Sequence, residues 1–169
     1  MRTLRILLLL LTVTFPLSIL AEQRTPATIV RTVDGDTLKV RIGKYNERVR
    51  MIGVDTPEKQ INDKARRDTK KTHQDLNTIT KHGRSAWDHL NSLLKPGQAV
   101  TLEFDVGHTD RHGRLLAYVY TTAGTMLNEQ MLRDGYASPM TVPPNVRYAK
   151  RFLDAYNDAR AHKRGLWSQ

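Results

Sequence analysis

Apolar and polar residues alternate along the first half of the chain in short segments that are typical of β-strands. Residues 28–33 are rich in β-branched side chains, and residues 37–42 place three aliphatic side chains on one face. The Asp-Gly turn between these two segments predicts a β-hairpin. Residues 48–54 predict a third strand, so the chain begins with a meander that must be closed or covered.

Helical and strand patterns alternate in the second half of the chain. The five strands are short and the helices fall between them, which predicts an α+β fold built on a five-stranded OB-fold β-barrel with about three helices. An open α+β sheet is the alternative. The predicted elements are a helix from Ser85 to Leu94, strands at 99–106 and 114–120, a short helix after Thr125, and a last helix from Asn145 to Gly165.

The segment 59–84 differs from its surroundings. It contains eight lysines and arginines, three aspartates and few large apolar residues. We expect an exposed, mobile and basic insertion that carries a helical piece.

The first 21 residues predict a secretory signal peptide. Arg2 and Arg5 precede an apolar run at 6–20, and Ala21 offers a small residue for cleavage. A membrane anchor is the alternative, although the run is shorter than the ~20 residues that a span requires. We therefore expect a secreted or periplasmic protein whose residues 22–169 form a single domain, without stable membrane association after cleavage.

Charge and cysteine content narrow the function classes. The chain has 27 Lys and Arg against 17 Asp and Glu, a net charge of +10, and removal of Arg2 and Arg5 lowers it to +8. Such an excess favours polyanionic partners such as nucleic acid, anionic lipid or acidic polysaccharide. The chain has no cysteine, which excludes disulfides, thiolate metal sites and a cysteine nucleophile.

Three acidic residues follow or begin neighbouring predicted strands. Asp36 opens the second strand with inward parity, and Asp55 and Glu58 follow the third. Their oxygens, with the Thr56 carbonyl, suit a hard cation such as Ca²⁺ or Mg²⁺. Arg50 lies within the third strand and needs an anion if it is buried. By strand parity Arg50 and Asp55 face opposite sides, so they share a site only if the chain bends near Gly53.

Four stretches occur in one order across residues 28–167: TVDGDTLKV, VRMIGVDTPE, DRHGRLLAYVY and RGLW. Together they resemble the staphylococcal nuclease (thermonuclease) family. The resemblance implies an OB-fold barrel and a Ca²⁺-dependent endonuclease, a phosphodiesterase that acts on DNA and RNA, and we expect it to be a monomer. The segment 59–84 of this chain is longer than is usual in the family.

The resemblance also implies a role for each matching residue. Asp36 and Asp55, with the Thr56 carbonyl, would bind Ca²⁺, and Glu58 would be the general base that assists water attack. Arg50 and Arg114 would stabilise the phosphate. The alternatives are an OB-fold protein that binds nucleic acid without cutting it, and a basic protein that adheres to anionic polymers.

Overall fold

Five strands close into a barrel in the computed structural model, which describes residues 24–168. Going around the barrel, the strands follow the order β1-β2-β3-β6-β5, and two further strands, β4 and β7, form a small separate sheet. The predicted five-stranded barrel with helices at its seams is confirmed. The elements are β1 (Thr25–Asp34), β2 (Thr37–Ile42), β3 (Tyr45–Met51), β4 (Gly53–Asp55), α1 (Asp63–Thr72), α2 (Leu76–Leu93), β5 (Ala99–Glu103), β6 (Leu115–Thr121), α3 (Leu127–Arg133), β7 (Ser138–Met140), α4 (Ala149–Ala161) and a 3₁₀-helix at Gly165–Trp167.

The barrel interior explains the alternation seen in the sequence. Alternate side chains of the strands point inward, and Leu38, Val40, Val49 and Val119 are fully buried there. The β3–β6 pair is parallel, while the other neighbouring pairs in the barrel are antiparallel. Helix α2 packs against β1, and α3 packs against α4 and β6.

The predicted third strand at 48–54 is split by a bend. Strand β3 leaves the barrel after Met51, and β4 begins two residues later and pairs with β7. Gly53 has a φ of 77°, and a β-carbon at this position would lie 2.5 Å from the Phe152 ring. Both the backbone angle and the close contact favour glycine here.

The segment 59–84 contains more helix than the single piece expected. It holds all of α1 and the beginning of α2, which is 18 residues long. The predicted helix start at Ser85 is wrong, because Ser85 lies inside α2 and its hydroxyl donates to the Lys81 carbonyl. The N-cap of α2 is Asp75, whose carboxylate accepts hydrogen bonds from two backbone N–H groups at 2.8 and 3.0 Å.

The last helix, in contrast, is shorter than predicted. Asn145 does not cap it, because α4 begins at Ala149, and the Asn145 side chain instead makes two hydrogen bonds to the backbone of Gly107. Gly165 has the positive φ that was expected, 53°, but α4 ends at Ala161 and Gly165 begins the 3₁₀-helix.

None of the helices within residues 24–168 is both long enough and apolar enough to cross a bilayer. The predicted signal peptide and its alternative, an anchor, lie outside the described residues and stay predictions.

Candidate active site

Asp36 lies in the turn between β1 and β2 and is tied to the segment that follows β4. One of its carboxylate oxygens accepts hydrogen bonds from the backbone N–H and the hydroxyl of Thr56, both at 3.1 Å. The other oxygen accepts from the Thr37 hydroxyl at 2.9 Å. Both Asp36 and Thr56 are buried, so two segments 20 residues apart are fixed side by side.

Arg50 is buried at the end of β3 and holds the bend around Gly53 together. One terminal nitrogen donates to the carbonyls of Met51 and Val54 at 3.0 and 2.6 Å. The other lies 3.0 Å from Asp55 Oδ1 and 3.1 Å from Asp36 Oδ2. The bend therefore brings Arg50 and Asp55 together despite their opposite parity along the chain, and the buried guanidinium has the anionic partners that it needs.

Glu58 is held by the first turn of α1. Its carboxylate accepts a hydrogen bond from the Asn62 side chain at 2.7 Å and lies 3.4 Å from the Lys64 ammonium. The same ammonium donates to the Thr56 carbonyl at 2.6 Å and lies 3.3 Å from Asp55 Oδ1. Lys64 was not predicted as a site residue, because the carboxylates it contacts are brought to it by tertiary structure.

Asp34 is a fourth acidic residue in the site that sequence reasoning missed. Burial, followed by repulsion from Glu58 and Asp36, raises the pKa of Asp34 to about 6, although the Gly35 N–H and Lys59 act in the opposite direction. Burial also raises the pKa of Asp55, against the opposing effect of Lys64. Burial and neighbouring carboxylates therefore disfavour the charged forms of Asp34 and Asp55.

Arg114 precedes β6 and is oriented by Asp110. The Asp110 carboxylate accepts the Arg114 side-chain Nε–H at 2.7 Å and two backbone N–H groups, those of His112 and Arg114. Burial would raise the pKa of Asp110, but these hydrogen bonds outweigh it and the pKa lies below its ordinary value. Sequence reasoning missed Asp110, although its spacing of four residues from Arg114 within a glycine-containing turn was a usable signal.

Two adjoining cavities connect these side chains. The first has a volume of about 430 Å³ and is lined by Asp36, Arg50, Glu58 and Arg114, together with Asp34 and Lys64. The second, of about 490 Å³, also has Arg50 and Arg114 in its wall, and apolar residues such as Met140 and Val142 form much of the remainder. Both arginines therefore stand between a charged chamber and a more apolar one.

A larger cavity of about 820 Å³ lies between α3 and α4, but its central charges are already paired. Glu129 contacts Arg133 at 2.6 Å and also forms an ion pair with Arg151. This arrangement is typical of an ion-pair network that joins two helices, and it involves none of the predicted site residues.

Comparison with known proteins agrees with this geometry. Residues 48–169 match the family described as "Staphylococcal nuclease homologue". The chain belongs to the staphylococcal nuclease family. The predicted family is thereby confirmed, and its barrel is the one seen here.

Curated relatives of this family cover most of the chain. It is 34% identical to the "Thermonuclease" of Staphylococcus hyicus over 140 residues, 83% of this chain and 74% of the relative. It is 35% identical to "Endonuclease YncB" of Bacillus subtilis (strain 168), over 84% of this chain and 61% of the relative. It is also 35% identical to the "SPbeta prophage-derived endonuclease YokF" of the same organism, over 88% of this chain and 46% of the relative.

Members of the staphylococcal nuclease family are generally metal-dependent, so the arrangement of oxygen atoms in this site decides whether it can hold a metal ion. Within residues 24–168, no group of three or more acidic or histidine side chains lies in an arrangement that could hold a metal ion. Arg50 and Lys64 lie between the carboxylates of this site. The Asp55 carboxylate, the Thr56 carbonyl and the Glu58 carboxylate nevertheless converge on one positive charge, the Lys64 ammonium. These are hard oxygen donors that fit Ca²⁺ or Mg²⁺.

Proposed function

We propose that this chain is an exported, Ca²⁺-dependent endonuclease that hydrolyses phosphodiester bonds in DNA and RNA. The observation that carries the proposal is the shared lining of one cavity by a carboxylate, Glu58, and two guanidiniums, Arg50 and Arg114. The named activities of the curated relatives support nucleic acid as the substrate. Export rests on the pattern of residues 1–21, and the proposed active form is a monomer.

The two arginines would bind and orient the scissile phosphate. A guanidinium presents a planar fork of N–H donors that matches two phosphate oxygens, and it keeps its charge at any physiological pH. Asp110 holds the Arg114 fork in place, and Asp36 with Asp55 holds that of Arg50. As negative charge builds on the phosphate oxygens in the transition state, these positioned cations gain interaction energy.

Glu58 would accept a proton from the attacking water. Its carboxylate borders the cavity that contains both arginines, so a water beside it faces a phosphate bound there. Ca²⁺ bound by Asp36, Asp55 and the Thr56 carbonyl would supply Lewis-acid stabilisation of the phosphate charge. A general base contributes about 10²–10⁴-fold in rate, so charge stabilisation by the surrounding cations must supply much of the remainder.

The test is cleavage of plasmid DNA and of RNA by the purified chain, with Ca²⁺ and with excess chelator. We expect degradation of both substrates that the chelator abolishes and added Ca²⁺ restores. Glu58→Gln should lower the cleavage rate by about 10²–10⁴-fold. Asp88→Asn, which removes an exposed carboxylate from α2, is the matched control and should cleave normally.

Two results would contradict the proposal in different ways. Full activity in Glu58→Gln would refute the base assignment, and full activity in Arg114→Lys would refute the phosphate role of that arginine. Nucleic acid that is retarded on a gel but stays intact with or without Ca²⁺ would favour the alternative, a non-catalytic OB-fold nucleic-acid-binding protein.

A further inference from the structure

One cationic side chain inserts among the oxygens proposed to bind the metal. The Lys64 ammonium donates to the Thr56 carbonyl at 2.6 Å and lies 3.3 Å from Asp55 Oδ1 and 3.4 Å from Glu58 Oε1. Two of these groups are proposed ligands and the third is the proposed base. A divalent cation and an ammonium cannot bind these oxygens at the same time, because they would occupy the same position and their positive charges would repel each other.

We propose that Lys64 is a built-in counter-cation of the metal site, which a divalent cation must displace in order to bind. This inference rests on the proposed function, since it concerns the metal of that site. Lys64 thereby sets the apparent affinity for Ca²⁺ and keeps the crowded carboxylates neutralised when no metal is bound.

The electrostatics of the cluster support this role. Glu58 and Asp36 repel Asp34, and Asp36 also repels Asp55. Arg50 forms ion pairs only with Asp36 and Asp55 among these four residues. Glu58 receives its contacts from α1, through the Asn62 amide and the Lys64 ammonium. Without Lys64, the Glu58 and Asp55 charges would lose a cation that now stands between them.

The helix that carries Lys64 also covers the proposed base. Asn62 is the N-cap of α1 and accepts a hydrogen bond from the Ala65 N–H at 2.9 Å, while its amide donates to Glu58. One helical turn therefore both occupies the proposed metal ligands and holds the carboxylate that should face water. Displacement of Lys64 would free the Thr56 carbonyl, Asp55 and Glu58 together.

A third anionic partner of Lys64, which is not among the proposed ligands, lies one turn along the same helix. Asp68 Oδ2 is 3.6 Å from the Lys64 nitrogen, and Asp68 lines a different cavity from the one that Glu58 borders. The ammonium can therefore leave the ligand oxygens without losing all of its ion pairs. This lowers the cost of exchange between Lys64 and a divalent cation.

Calorimetric titration of the purified chain with CaCl₂, without nucleic acid, tests the proposal directly. Lys64→Met removes the competing charge and should tighten Ca²⁺ binding on the order of tenfold. Lys64→Arg keeps the charge and should bind Ca²⁺ about as weakly as the original chain. Lys70→Met removes an exposed charge from the same helix and is the matched control.

A labelling experiment on the unaltered chain covers the case in which Lys64→Met fails to fold. Acetic anhydride modifies accessible amines, and peptide mass spectrometry reports the extent at each lysine. Ca²⁺ should increase labelling of Lys64 several-fold and leave Lys70 unchanged. Labelling of Lys64 that Ca²⁺ does not alter would overturn the proposal.

The outcomes separate this inference from the proposed function. Ca²⁺ affinity that is equal or weaker in Lys64→Met, with Ca²⁺-dependent cleavage intact, would refute the role of Lys64 alone. Absence of Ca²⁺ binding in all four chains would refute the metal site and with it this inference. Tighter binding in Lys64→Met, but not in Lys64→Arg or Lys70→Met, is the result that we expect.

Discussion

Substitution of Gly53 by alanine tests whether the bend between β3 and β4 is what assembles the site. Gly53 has a φ of 77°, a conformation that L-residues adopt at a cost of roughly 1–2 kcal/mol. An added β-carbon would also lie 2.5 Å from two carbons of the Phe152 ring. Phe152 is 1% exposed and packs among Tyr118 and Tyr148, so the ring has little space into which it can move.

The backbone strain and the steric contact together predict a loss of stability in Gly53→Ala. Overpacking in a well-filled core costs typically 1–3 kcal/mol, so the free energy of unfolding should fall by about 2–5 kcal/mol. Urea denaturation followed by circular dichroism measures this loss. Cleavage activity should fall as well in the folded fraction, because any shift of the bend moves Arg50 relative to Asp55.

Gly97→Ala is the matched control for the steric part. Gly97 has a φ of 84° in the turn before β5, but no atom lies within 4 Å of an added β-carbon. It should therefore lose only the backbone contribution of roughly 1–2 kcal/mol and keep its activity. Equal losses in the two variants would show that the contact with Phe152 contributes nothing and would refute the reasoning.

Two further predictions concern pairs of charged groups. Asp110→Asn removes the charged acceptor that orients Arg114, a bond worth about 1.5–3 kcal/mol, so kcat/KM for DNA cleavage should fall about 10- to 100-fold and the thermal stability should fall as well. An unchanged kcat/KM would contradict the positioning role. Burial would raise the pKa of Glu129, but Arg151 and Arg133 outweigh it and lower the pKa below its ordinary value of 4.5. The ion pairs of Glu129 therefore stabilise the fold fully above pH 4.5, and this stabilisation is lost as the pH falls through the lower folded-state pKa. Glu129→Gln should lower the free energy of unfolding by about 1–3 kcal/mol at pH 7 and by much less at pH 3, as measured by urea unfolding. An equal decrease at both pH values would refute this.

Local patterns predicted the barrel and much of the site. Strand alternation marks the inward side chains. Strand pairing suggested that Asp36, Asp55 and Glu58 lie near one edge; Asp36 and Glu58 border one cavity, and Asp55 contacts the same Lys64 ammonium as Glu58. The position of Gly53 resolved the parity conflict between Arg50 and Asp55, since a glycine is where a strand can bend. These features depend on residues near in sequence or on adjacent strands.

A helical piece was expected within 59–84, but the bounds of α1 were not predicted, because this helix has almost no apolar face. Ala65 is its only fully buried residue, so hydrophobic periodicity gives no signal. The two ends of α1 did carry a sequence signal for a helix: Asn62 is the N-cap, Asp63 lies in the first turn and basic residues lie in the last turn. The role of Lys64 follows from where this helix packs, and packing of a helix over a distant turn cannot be read from local sequence.

The balance of charge in the site argues for chemistry rather than binding alone. A protein that only binds nucleic acid gains from positive charge and loses from each nearby carboxylate, because phosphates repel them. This basic chain nevertheless places Asp34, Asp36 and Glu58 in one cavity with Arg50 and Arg114. Burial and repulsion from the other two carboxylates raise the pKa of Asp34 to about 6. Such crowding is unfavourable for folding and for polyanion binding, and perturbed carboxylates of this kind are concentrated at functional sites. A site that must hold both a cation and a phosphate has a use for both signs of charge, which a simple binding surface lacks.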